Sequence, residues 1–158
     1  MKKGGEYITP EGYEELKKKW EYLKTERRRE LSKDIEKARG HGDLSENAEY
    51  DAAKEAQAFN EKKIAELEKR LSEVQILDDS SMPKDEALLG AKVRLKDMES
   101  GEELEYMLVS EAVADFAKGK ISVTSPVGKG LLGHKKNEIV EIKVPAGVLK
   151  YKILGVSR

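Results

Sequence analysis

Apolar residues recur every three and four positions on both sides of a Gly-His-Gly break, and that pattern leaves few folds open. The first run is Tyr13, Leu16, Trp20 and Leu23; it weakens through Glu26-Arg27-Arg28-Arg29-Glu30 and resumes at Leu31, Ile35 and Ala38. Thr9-Pro10-Glu11 marks its start, with Thr9 as N-cap, Pro10 at the first helical position and an acid in the first turn. Gly40-His41-Gly42 ends it, glycine being the usual residue just past a helix end. A second run begins near Asp43, and its seam is Tyr50, Ala53, Gln57, Asn60, Ile64, Leu67, Leu71 and Val74, an unbroken 3,4 repeat with two polar members. Two helices of roughly 30 residues joined by a tight turn predict an antiparallel hairpin about 45 Å long. The seam is most apolar at the base and poorest toward the turn.

After the polar stretch Asp78-Asp79-Ser80-Ser81-Met82-Pro83-Lys84 the period changes to two. Ala91 to Lys96 alternates, as does Ile139 to Val144, and Pro145-Ala146-Gly147 makes a turn before a last strand carrying Tyr151, Ile153 and Val156. Further strands fit Glu103 to Ser110 and Ile121 to Thr124, with one helical turn at Leu131 to His134. The fold class is therefore α+β: residues 1–77 a coiled-coil hairpin with an acidic tip at 40–50, residues 78–84 a linker, and residues 85–158 a small, mostly antiparallel sheet domain.

Charged residues are 39% of the chain, against about a quarter in ordinary globular domains, which suits a long solvated element better than one large core. The net charge is −1, which argues against a simple nucleic-acid coat protein. There is no cysteine, hence no disulfide framework and no thiolate metal site. No stretch approaches the roughly 18 apolar residues of a membrane span. The basic start Met1-Lys2-Lys3 has no apolar run behind it, so a cytoplasmic location is expected.

Charge is unevenly placed along the hairpin. Residues 40 to 60 hold five acids and one base, whereas residues 11 to 39 hold ten bases and eight acids. Arg27, Arg28, Arg29, Lys33, Lys37 and Arg39 thus lie on a shaft below an acidic tip, an arrangement suited to a rod entering a channel with nucleic acid and a metal. Asp43-Leu44-Ser45-Glu46 puts two carboxylates three residues apart at a helix start, where they can converge on a hard cation such as Mg²⁺. Asp as N-cap with Glu three residues on also closes a helix start, and spacing alone favours that cap. Position at the end of a long arm favours the metal, which would need ligands from a partner.

Other features read as structural. Gly128-Lys129-Gly130-Leu131-Leu132-Gly133 matches a dinucleotide fingerprint, but no βαβ unit surrounds it, so turn glycines are the better account. His41 and His134 lack ligand-spaced partners and are expected at the surface. Trp20 and Phe59 are expected to pack. No Ser-His-Asp or Cys-His arrangement is apparent, so any catalysis would run through a partner's machinery.

The run Gly42-Asp43-Leu44-Ser45-Glu46-Asn47-Ala48-Glu49-Tyr50 resembles the tip of the GreA-type transcript-cleavage factors; Thr9-Pro10-Glu11-Gly12-Tyr13 resembles the start of that family, and Ile121-Ser122-Val123-Thr124-Ser125-Pro126 its C-terminal core. The resemblance implies a hairpin that enters the secondary channel of bacterial RNA polymerase and a C-terminal domain, FKBP-like in fold, that docks at the channel mouth. It implies that Asp43 and Glu46 help hold a Mg²⁺ shared with the polymerase and orient the water that cleaves the 3′ end of backtracked RNA. Ser45 and Asn47 would support the tip, and Ser125 and Pro126 would dock. The isolated chain would bind no metal, would not itself be an enzyme, and would be a monomer. Many family members have Pro where Arg29 stands and an acid where Gly40 stands, so Gly40 is expected to loosen the end of the first helix. A Gre-like inhibitor that occupies the channel without cleavage is the alternative, although such relatives have remodelled, more acidic tips. A coiled-coil module without chemistry would instead tolerate loss of Asp43 and Glu46.

Overall fold

The computed structural model describes residues 6–40 and 47–158. The chain divides into two compact units, Glu14–Val74 and a second built from the residues up to Tyr13 together with Gln75–Arg158.

Helices form the first unit: α1 (Pro10–Tyr22), a π-helical turn at Leu23–Arg27, α2 (Arg28–Arg39) and α3 (Asn47–Glu73). Thr9 caps α1 as predicted, its hydroxyl accepting from Gly12 N–H at 3.0 Å and its carbonyl from Tyr13 N–H at 2.9 Å. The helices run antiparallel, since Trp20 meets Glu68 while Arg28 meets Glu61. Leu16, Leu31, Ala38, Asn60 and Ile64 are buried, so both predicted seams turn inward.

The weak stretch before Leu31 has a physical cause. Leu16, Trp20, Leu23 and Leu31, Ile35, Ala38 share one spacing, but Leu31 falls eight residues after Leu23 rather than seven. One extra residue would turn the second set off the seam. The π-turn at Leu23–Arg27 absorbs it, because a π-turn is an α-helix carrying one additional residue. The seam of α3 is unbroken, and α3 is α-helical throughout.

The second unit holds a five-stranded sheet of β3 (Lys92–Asp97), β4 (Glu103–Val109), β5 (Lys120–Ser122), β6 (Ile139–Val144) and β7 (Gly147–Ser157), in the order β5-β4-β3-β7-β6. All pairs are antiparallel except β4 with β5. Period-two alternation buries Val93, Leu95, Val140, Ile142, Tyr151 and Ile153 against Leu108 and Leu131. Two strands were not predicted: β1 (Tyr7–Ile8) pairs in parallel with β2 (Gln75–Ile76). Next to them, the Glu6 carboxylate accepts from the Ser110 hydroxyl and from Ala112 N–H.

Helix α4 spans Pro126–Leu131 and not the predicted Leu131 to His134. Ser125 caps it and Pro126 takes its first position, the same signal that starts α1. This also corrects the reading of the glycines. Gly128 lies inside α4, where a Cβ would come within 2.0 Å of the Ser122 carbonyl oxygen, and Gly130 faces Ile142. Only Gly133, at φ +82, has the conformation of a turn glycine.

Candidate functional site

The tip joins α2 to α3. Helix α2 ends at Arg39, and Gly40 keeps a right-handed conformation (φ −66, ψ −16), its N–H bonded to the Glu36 carbonyl at 3.0 Å. The helix thus stops at Gly40 as predicted, with the glycine in the right-handed rather than the left-handed conformation. Asn47 opens α3. Asp43, Ser45, Glu46 and His41 lie outside the described residues.

Below the tip, α2 and α3 enclose a shallow groove of about 240 Å³ lined by Ser32, Ile35, Glu36, Arg39, Lys54 and Gln57. The Arg39 guanidinium stands 5.9 Å from the Tyr50 ring centre, in cation–π range. Both residues are thereby held beside the helix ends that flank the tip.

The six basic residues singled out on the shaft separate into four kinds. Arg27 pairs with Glu30 at 3.0 Å, one turn along its own helix. Arg28 crosses the hairpin and grips Glu61 with two bonds, Nε at 2.9 Å and Nη2 at 2.7 Å. That grip holds the Glu61 carboxyl below its ordinary range and raises the already high Arg28 value. Arg29, Lys33 and Lys37 are exposed and four residues apart, so they form one stripe along α2. Arg39 is the tip-side residue described above.

Aromatic residues on the shaft depart from expectation. Trp20 is half-buried, with its indole N–H donating to Glu68 at 3.1 Å and Lys24 Nζ 4.5 Å from the ring centre. Phe59 does not pack: it is 60% exposed, because Asn60 rather than Phe59 turns into the seam, and Lys63 Nζ lies 4.9 Å from its ring.

In the second unit, the Ser125 hydroxyl is engaged twice, accepting from Gly128 N–H at 3.1 Å and donating to the Ser122 carbonyl at 2.6 Å. Pro126 beside it is exposed. Phe116, unremarked in the sequence, is 75% exposed, and its ring centre lies 6.1 Å from that of Tyr106. His134 is partly exposed, as expected, with Nδ1 3.3 Å from Glu138. Among the described residues no three acidic or imidazole groups converge to hold a metal, and no helix is long and apolar enough to cross a membrane.

Comparison with known proteins decides the family. A profile described as "Transcription elongation factor, N-terminal" matches residues 6–76, and one described as "Transcription elongation factor, GreA/GreB, C-term" matches residues 82–158. The chain belongs to the GreA/GreB family of transcription elongation factors. It is 49% identical over 152 residues to transcription elongation factor GreA of Flavobacterium johnsoniae, covering 96% of each chain. It is 47% identical over 159 residues to GreA of Clostridium beijerinckii, covering 100% of this chain and 99% of that one. Among solved structures it is similar to the GreA factor homolog 1 of Thermus thermophilus, at 32% identity, 98% and 99% coverage, and a TM-score of 0.45. The Gre-family reading of the tip, the start and the C-terminal core thus extends over both units of the chain.

Proposed function

We propose that this elongation factor stimulates bacterial RNA polymerase to cleave the 3′ end of backtracked RNA, entering the secondary channel with its hairpin tip. One observation carries the reading: in the sequence, Gly42-Asp43-Leu44-Ser45-Glu46-Asn47 falls between two antiparallel helices, the first of which bears an exposed basic stripe. Two carboxylates are too few to hold Mg²⁺, which takes about six oxygen ligands. Asp43 and Glu46 would therefore share the ion with the polymerase, and the ion would supply water activation and leaving-oxygen stabilisation. The chain itself acts as a cofactor, not as an enzyme. Ser45 and Asn47 support the tip, Arg29, Lys33 and Lys37 face RNA or channel wall, and Ser125 with Pro126 docks. The factor works in the cytoplasm, as a monomer until it meets the polymerase.

The test is RNA cleavage in a stalled, backtracked complex with Mg²⁺, comparing wild type with Asp43→Asn. Asparagine caps a helix about as well as aspartate, so helix content stays constant while stimulated cleavage disappears. Full cleavage by the variant would remove Asp43 from the mechanism. Binding without cleavage by both proteins would make the chain a channel-occupying inhibitor.

A further inference from the structure

Asn60 is the one polar side chain buried in the helical seam among the described residues, at 4% exposure. Its amide donates to the Leu23 carbonyl across the hairpin at 3.0 Å. Leu23 is the first residue of the π-turn, where the helix backbone departs from regular bonding. Burying an amide is costly unless it finds a partner. The Leu23 carbonyl supplies that partner at the π-turn. Slipping α2 along α3 by one turn, roughly 5 Å, would part the amide from the Leu23 carbonyl. A single buried Asn in a coiled-coil seam fixes register at some cost in stability. The flanking contacts, Trp20 to Glu68 and Arg28 to Glu61, agree with the same register but are exposed, where ion pairs contribute little.

We propose that the Asn60 amide on the Leu23 carbonyl is the register pin of the hairpin, which makes Asn60 a positioning residue for the tip about 20 Å away along α3. The claim about activity rests on the cleavage reading above; the claim about register does not. Misplacement of a reacting constellation by about 1 Å can cost on the order of a hundredfold in rate, so a hairpin with two registers is a poor cofactor even when fully folded.

The experiment replaces Asn60 by Leu and, separately, by Gln. Because the chain has no cysteine, spin labels at Asp34→Cys and Glu55→Cys, both exposed, report the α2 to α3 distance in the free full-length protein. Wild type and Asn60→Gln, which keeps the donor, should give one narrow distance. Asn60→Leu should give a second distance or a broad one, with an unfolding midpoint equal to or above that of wild type. In the backtracked complex the Leu variant should then lose at least about tenfold in stimulated cleavage, and the Gln variant should retain most of it. A narrow, unshifted distance in Asn60→Leu would overturn the pin. A broadened distance with undiminished cleavage would overturn the positioning role, as would a loss that merely follows a lowered midpoint. If the wild type itself stimulates no cleavage, the functional reading fails, and the distances still decide the pin.

Discussion

Arg28 holds Glu61 through two hydrogen bonds, at 2.9 and 2.7 Å, joining α2 to α3 near the π-turn. The guanidinium keeps the Glu61 carboxyl below its ordinary value of 4.5. A carboxylate that titrates lower when folded contributes stability above its unfolded value, and that contribution is lost as pH falls through the depressed folded value. Unfolding midpoints of wild type and Glu61→Gln should therefore differ at pH 7 and converge as pH drops well below 4.5. A gap that persists unchanged at the lowest pH would mean that the carboxylate charge is not what Arg28 recognises.

Close approach at α4 gives a graded prediction. At Gly128 a Cβ would come within 2.0 Å of the Ser122 carbonyl oxygen, a backbone atom held by the Ser125 hydroxyl. At Gly130 it would meet Cγ1 of the buried Ile142 side chain at 2.6 Å, and a side chain can shift more readily than a backbone carbonyl. Gly128→Ala should cost about 3 kcal/mol or more in urea unfolding, and Gly130→Ala about 1 to 2 kcal/mol. Equal costs would show that the backbone near Ser122 yields as easily as a side chain.

The contrast between α4 and the hairpin shows what sequence patterning carries. Long periodic segments announce themselves: the seam that starts at Tyr50 reappears as α3, and the alternations of Ala91 to Lys96 and Ile139 to Val144 reappear as β3 and β6. Strand β1, two residues long, is too short to show a period. Helix α4 was masked by its glycines, although Ser125-Pro126 repeats the start signal of Thr9-Pro10. The π-turn was legible as an eight-residue step from Leu23 to Leu31, but a gap in a pattern reads more readily as weakness than as an insertion. Phe59 was misread although the seam already placed its neighbour Asn60 inward, which turns Phe59 toward solvent. For the site, spacing alone favoured a helix cap and only the Gre-type run from Gly42 to Tyr50 pointed to a tip, while the sorting of the basic residues on the shaft required partners that only coordinates supply.

Gly40 has room for a side chain. Its φ is negative, and a Cβ would make only ordinary contacts, 3.4 Å from the Lys37 carbonyl and 3.5 Å from that of Glu36. Gly40→Ala should raise stability by roughly 0.5 to 1 kcal/mol, chiefly by reducing the freedom of the unfolded chain. Urea unfolding followed by helix ellipticity measures this. A destabilised variant would mean that the end of α2 needs the conformational range of glycine.

The basic shaft separates structural from binding charges by their partners. Arg28 is engaged across the hairpin, whereas Arg29, Lys33 and Lys37 face solvent in a stripe. If the stripe meets phosphates in the polymerase complex, each contact releases counterions and steepens the fall of affinity with salt. Replacing all three by Ala should then flatten the slope of log affinity against log salt by up to about one per residue, with the largest loss of binding at low salt. Arg28→Ala should leave the slope nearly unchanged, because its charge is already matched by Glu61, and should instead weaken the hairpin. Measuring binding to a backtracked complex across a salt series distinguishes the two. Equal slopes for wild type and the triple variant would return the stripe to a solvated helix face and leave tip placement to the seam alone.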